Sequence, residues 1–289
     1  MGAAAAGDMT ASDGGAGGTI AGGSPGREPS AAGAAGALEA AGAPANGGET
    51  GGESDEPGNG GEGGGSAGAA DEGQLCSGDR EVGSQADFDA LVAEHCRDLD
   101  GSLSITDVPG LTSLAGLESL TSVRGFVFIE ADAALTSLDG LQHLANIGGE
   151  FDVNFDPLLT DLSGLAALVS VGGSFSIDDD ARLSSLNGLD HFTTAGGLFG
   201  ISSNAMLVSL TGLERVTSVG LELVIDDNPQ LTSLTPLLAW PADTVRAGIT
   251  VHDNGKLPAC EVDAFDAAQT DTLAMCGDCS NNDAAGSCN

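Results

Sequence analysis

The sequence predicts a mainly β protein: a right-handed parallel β-solenoid of 24-residue coils with short capping helices, preceded by a disordered N-terminal tail. Three observations predict it. Leu111, Leu135, Leu159, Leu183, Leu207 and Leu231 recur every 24 residues without a slip. Late in each unit the apolar spacing switches to two, as in Phe151/Val153 and Phe175/Ile177, the alternation of a strand with one buried face. Glycine pairs return at one fixed point of successive units: Gly148-Gly149, Gly172-Gly173 and Gly196-Gly197.

Residues 1–75 come first. They hold 24 Gly and 19 Ala and no Phe, Trp, Val or Cys. Such a segment buries too little apolar surface to offset its ordering entropy. It is expected to be a disordered Gly/Ala/acidic linker. The roughly 210 residues that follow suffice for a core. They divide into an N-terminal cap over 76–101, coils over 102–256 and a cysteine-containing C-terminal cap over 257–289.

In the first cap, Ser84-Gln85-Ala86-Asp87 followed by FDALVAEHC reads as a short helix with a serine N-cap. Phe88, Leu91 and Val92 are placed to cover the first coil. Within the coils, leucines spaced by three form further columns, among them Leu114 to Leu234 and Leu117 to Leu237. A fourth column runs Leu120, Leu144, Leu168, Phe192, Val216 and Trp240. The strand pairs begin at Leu103/Ile105 and end at Ile249/Val251, giving a ladder of seven rungs. One unit cannot bury its own apolar face, but units stacked about 4.8 Å apart can. The general handedness of parallel crossovers makes the solenoid right-handed. In the second cap, Ala259–Ala274 is expected to form a helix with Val262, Phe265 and Leu273 inward.

Net charge is −35 and Lys256 is the only lysine. So acidic a surface repels phosphate backbones, which excludes nucleic-acid partners. Cys76, Cys96, Cys260, Cys276, Cys279 and Cys288 flank the repeats and are absent from them. That placement suits disulfide bracing of an exported protein. MGAAAAGDMT has neither a basic nor a long apolar segment, so an export signal and any membrane tether are expected ahead of Met1. The alternative is a cytosolic chain with free thiols. No apolar run approaches membrane-spanning length.

With SQADFDALVAEHCRDLDGSLSIT at 84–106, the LTSLxGL and GGxFxI units between 111 and 230, and NGKLPACEVDAF at 254–265, the chain resembles the receptor L-domain family. That family is a leucine-rich-repeat-like β-helix, and the likeness is to its bacterial surface, lipoprotein-type members, over about residues 76–289. The resemblance implies a cell-surface or periplasmic setting, a disulfide near the N-terminal helix, and recognition of protein or glycan.

Candidate chemistry is sparse. Asp132, Asp156, Asp180, Asn204, Asn228 and Asn254 share a column just after the strand. This is expected to be an Asx ladder bonding local backbone, with a Ca²⁺ site as the alternative because stacked carboxylates are hard oxygen ligands. No other cofactor is expected. His143 and His191 lie two coils apart, too far to share a metal. Cys96, at the helix end beside His95, reads as half of a disulfide with Cys76 rather than as an activated thiol. Cys260, Cys276, Cys279 and Cys288 suggest disulfides, with a zinc knot as the alternative. Outward strand positions offer a candidate binding face: Glu150, Asp152, Ser174, Ser176, Leu198, Glu222 and Val224. No nucleophile–base pair or phosphate loop is legible. The expected function is therefore a non-catalytic, extracytoplasmic binding or scaffold module for protein or polysaccharide. The alternatives are a β-helical polysaccharide-cleaving enzyme and a purely structural cell-envelope protein.

Overall fold

The computed structural model describes residues 74–269, 276–278 and 280–282. The expected tail lies outside these residues except for Gln74 and Leu75, which open strand β1 (Gln74–Ser77). Strand β2 (Arg80–Val82) and helix α1 (Gln85–Ala93) follow. Ser84 is extended and its hydroxyl accepts the Asp87 N–H at 3.3 Å, so the predicted cap starts the helix. Phe88 and Leu91 are buried and Val92 packs against the same core. Strands β3 (Cys96–Asp100) and β4 (Leu103–Thr106) complete the first coil.

Thereafter each coil follows one plan: a two-residue strand, a glycine-rich corner, a longer strand, a left-handed corner and a leucine arc. The strand pairs are β5 (Ser122–Val123) with β6 (Val127–Glu130), then β7 (Asn146–Ile147) with β8 (Phe151–Asn154). Next come β9 (Ser170–Val171) with β10 (Phe175–Asp178), and β11 (Thr194–Ala195) with β12 (Phe199–Ser202). The last coils hold β13 (Ser218–Val219), β14 (Glu222–Asp226) and β15 (Gly248–His252). Helix α2 (Ala259–Ala268) and β16 (Cys276–Asp278) close the far end.

The long strands form one nine-stranded sheet, in the order β16-β15-β14-β12-β10-β8-β6-β4-β2. Every pairing is parallel, and from β4 to β15 the coils stay in register: Phe151, Phe175, Phe199 and Leu223 are successive partners, while the register shifts between β15 and β16. The chain is thus a parallel β-solenoid. Two features differ from expectation. The ladder has nine rungs rather than seven, because β2 and β16 pair with the otherwise open edges at β4 and β15. A second sheet, β1-β3-β5-β7-β9-β11-β13, was not anticipated. Its inward column is Val123, Ile147, Val171, Ala195 and Val219, all buried, but strands of two residues are too short to show a period.

The leucine spacing of three also finds its cause. Leu117 N–H donates to Leu114 C=O and Leu120 N–H to Leu117 C=O, so consecutive tight turns carry one leucine each into the core. That core becomes aromatic toward the C-terminal end. Phe151, Phe175 and Phe199 follow one another at 5.2 and 4.9 Å between ring centroids, the first pair tilted and the second stacked. Trp240 meets Phe199 and Phe265 edge-on and donates its indole N–H to Leu213 C=O at 2.6 Å. Phe265 thereby ties α2 to the stack, as expected, with Val262 also buried. The helix stops at Ala268 rather than continuing toward 274. Gln269 is buried and its side-chain carbonyl accepts the Thr244 N–H at 3.0 Å, which holds the chain against the last coil. Leu273 lies outside the described residues.

Glycine serves two purposes. Gly140 has φ +120°, and a Cβ there would stand 1.9 Å from Leu114 O. Gly148, from the repeated pairs, has no left-handed φ, yet a Cβ on it would stand 2.2 Å from Arg124 O in the coil before. The pairs are therefore required by the approach of stacked backbones, more than by the turn itself.

Candidate functional site

Alternation within β6, β8, β10, β12 and β14 buries one side of the long-strand sheet and turns the other outward. The expected binding positions all lie on that outer face. Phe128, Asp152, Ser176, Gly200 and Val224 are successive cross-strand partners. Glu150, Ser174, Leu198 and Glu222 form the neighbouring column, with Glu150 exposed and the other three half-buried. The same two outward columns continue to the N-terminal end. Phe126 and Phe128 stack at 4.2 Å with 23° between ring planes, both half-buried and outward.

Beyond the aromatic pair the face is a network of carboxylates and hydroxyls. Asn154 Nδ2 donates to Asp152 Oδ2 at 3.0 Å. Ser176 donates to Asp178, Ser202 to Asp226, and Thr250 to Glu222. Asp152 Oδ1 and Asp178 Oδ1 are enclosed with no hydrogen-bond partner. Burial, reinforced by the charges of Asp178, Glu130 and Glu150, pushes the Asp152 carboxyl up to about 6 against the bond from Asn154. Burial raises Asp178 too, although the Ser176 and Ser202 hydroxyls oppose it. The network members Asp178 and Asp226 escaped sequence reading. They occupy the last strand position, which alternation marks as outward but which carries no motif.

The Asx column is fully buried from Asp132 to Asn254. Each side chain reaches back one coil and accepts a backbone N–H through Oδ1. Asp132 takes that of Val108 at 2.7 Å, Asp156 that of Asp132 at 2.7 Å, and Asp180 that of Asp156 at 2.8 Å. Asn204, Asn228 and Asn254 continue the series at 3.2, 3.1 and 3.0 Å, and Asn282 accepts from Asn254 at 3.3 Å. The ladder satisfies donors that the left-handed corner would otherwise leave unpaired inside the solenoid.

Cys76 and Cys96 are joined by a disulfide, the pairing expected for the cap. Cys260 is also disulfide-bonded, and no cysteine among the described residues is free. The pairings of Cys276, Cys279 and Cys288 lie outside the described residues. Among the described residues, the only group of three or more His, Cys, Asp or Glu side chains close enough to share an ion is Cys76, Glu94 and Cys96. Its two sulfurs are already bonded to each other. His143 Nδ1 lies 2.7 Å from Glu118 O, an attachment to the preceding coil.

No helix among the described residues is long and apolar enough to cross a membrane. No family model, no curated protein and no solved structure matches the chain.

Proposed function

We propose that the chain is a non-catalytic, extracytoplasmic binding module that uses the outer face of its nine-stranded sheet to hold a protein or polysaccharide. The observation that carries this reading is the composition of that face. A stacked Phe126/Phe128 pair adjoins Glu150 and Asp152 of the next coil, and a row of hydroxyls and carboxylates continues to Asp226. Aromatic faces pack against apolar patches of sugars or side chains, while oriented carboxylates and hydroxyls accept and donate hydrogen bonds around them. From β4 to β15 the outward columns contain no lysine or arginine. Neutral or cationic ligands suit such a surface and polyanions do not.

The compartment belongs to the same proposal. The Cys76–Cys96 disulfide and the bonded Cys260 favour an oxidising setting. The likeness to bacterial receptor L-domain proteins rests on the repeat and cap motifs and points the same way.

A glycan and protein array probed with the full chain tests the reading, run beside a reducing-sugar assay on the same polysaccharides. Binding to neutral or basic members is expected, and Phe128→Ala with Asp152→Ala should weaken it at least tenfold. Turnover of any polysaccharide, or binding untouched by the double substitution, would overturn it.

A further inference from the structure

One half of the Asx column is built from asparagine and the other from aspartate, and an ionised aspartate cannot be wired as an asparagine is. In the asparagine half, the amide nitrogen fills the second valence of each rung. Asn204 Nδ2 donates to Ile177 C=O and Ser202 C=O, both at 3.0 Å. Asn228 Nδ2 donates to Ile201 and Asp226 carbonyls at 2.9 Å each. Asn254 Nδ2 donates to Ile225 and His252 carbonyls at 2.9 and 2.8 Å. Every rung therefore meets two carbonyl acceptors, one on its own strand and one a coil earlier.

Asp132, Asp156 and Asp180 use Oδ1 as the asparagines do, which leaves Oδ2 in the place of the amide nitrogen. All three Oδ2 atoms are buried with no hydrogen-bond partner, and the side chains are 0 % exposed. By the periodicity of the coils the neighbouring acceptors are Ile105 and Glu130, Ile129 and Asn154, and Val153 and Asp178. An ionised oxygen facing carbonyl oxygens in a water-free core is repelled, whereas a protonated one donates as the amide does. The ionisable groups acting on the three are all acids: Asp107, Glu130, Asp152, Asp178 and the ladder members themselves. No lysine, arginine or histidine is among them.

We propose that Asp132, Asp156 and Asp180 are neutral carboxylic acids in the folded protein, each donating its proton to backbone carbonyls, so that the N-terminal coils are a pH-operated segment, secure in mild acid and loosened in alkali. The electrostatics run in the same direction. Burial, with the neighbouring acids adding to it, raises all three against the backbone bond each accepts, Asp156 to about 7 and Asp180 to about 8. A carboxyl raised above its ordinary 3.8 binds its proton more tightly folded than unfolded. Its stabilising contribution is complete below that ordinary value and is lost as the pH climbs through the folded one. The loss runs from 3.8 up to about 7 for Asp156 and up to about 8 for Asp180. The asparagine half carries no such dependence.

The test compares the full chain with the triple variant Asp132→Asn, Asp156→Asn, Asp180→Asn, which extends the asparagine half along the whole column. Melting temperature is read from pH 5 to pH 8.5. The native chain is expected to lose roughly 5 °C or more over that range. The variant should lose less than half as much and melt above the native chain at pH 8.5. Parallel profiles for the two proteins, or a variant that melts lower at pH 8.5, would overturn the proposal. Carboxyl carbon NMR of the native chain decides independently of whether the variant folds. Asp156 and Asp180 carboxyls titrating above pH 6 support the proposal, and titration of either below pH 6 refutes it.

Discussion

Phe155 is the bulkiest side chain in a column of left-handed corner residues. The residue after each long strand turns the corner with positive φ: Asp107, Ala131, Phe155, Asp179, Ser203, Asp227 and Asp253 all lie between 51° and 60°. Aspartate tolerates this left-handed region because its short side chain can bond locally, whereas phenylalanine pays a steric cost of about 1 kcal/mol. Phe155 is 54 % exposed, so it recovers little of that by burial. Phe155→Asn should therefore raise the melting temperature by about 2–4 °C. A thermal melt checks this, and an unchanged or lower value would mean that the ring packs more productively than its exposure implies.

At the level of the element, the N-terminal cap is held by three devices: the Ser84 cap, the Arg80–Glu94 pair at 2.8 Å, and the Cys76–Cys96 disulfide across 20 residues. Closing a loop of that size restricts the unfolded chain by about 3 kcal/mol. Coils touch only their neighbours, so losing the bridge should act locally. The double variant Cys76→Ser, Cys96→Ser is expected to speed hydrogen exchange in β2, α1 and β4 while β10 and β12 keep their protection. Uniform acceleration along the solenoid would contradict this. The elements also show what sequence can and cannot reveal. Helix α1 was readable because a serine cap and apolar spacing are local signals. The C-terminal helix ends short of the expected Ala274 because Gln269 is recruited by Thr244, 25 residues earlier. The second sheet was invisible because two residues define no alternation. The outward positions of the binding face followed from period two, but its network did not. Ser202, which donates to Asp226, finds that partner one coil away, and the enclosure that lifts Asp152 is made by several coils at once.

For the whole molecule, each coil from β4 to β14 relates to the next by the same 24-residue step in the long-strand sheet, the leucine columns and the Asx ladder, and only the step to β15 is longer, at 26. Removing Leu159–Arg182 should therefore leave every column continuous, with Phe199 beneath Phe151 and Asn204 accepting the Asp156 N–H. Such a chain is expected to fold cooperatively with its cap contacts intact, whereas a 22-residue excision at the same place should fail, because the ladders then meet out of step. Circular dichroism and a melting curve on both deletions distinguish the outcomes. Chain length here is a quantity counted in whole divisions, like the marks on a ruler. Duplication or loss of one division resizes the surface offered to a partner while the two ends stay as they are, so a lineage carrying this gene can adjust reach without redesigning either terminus.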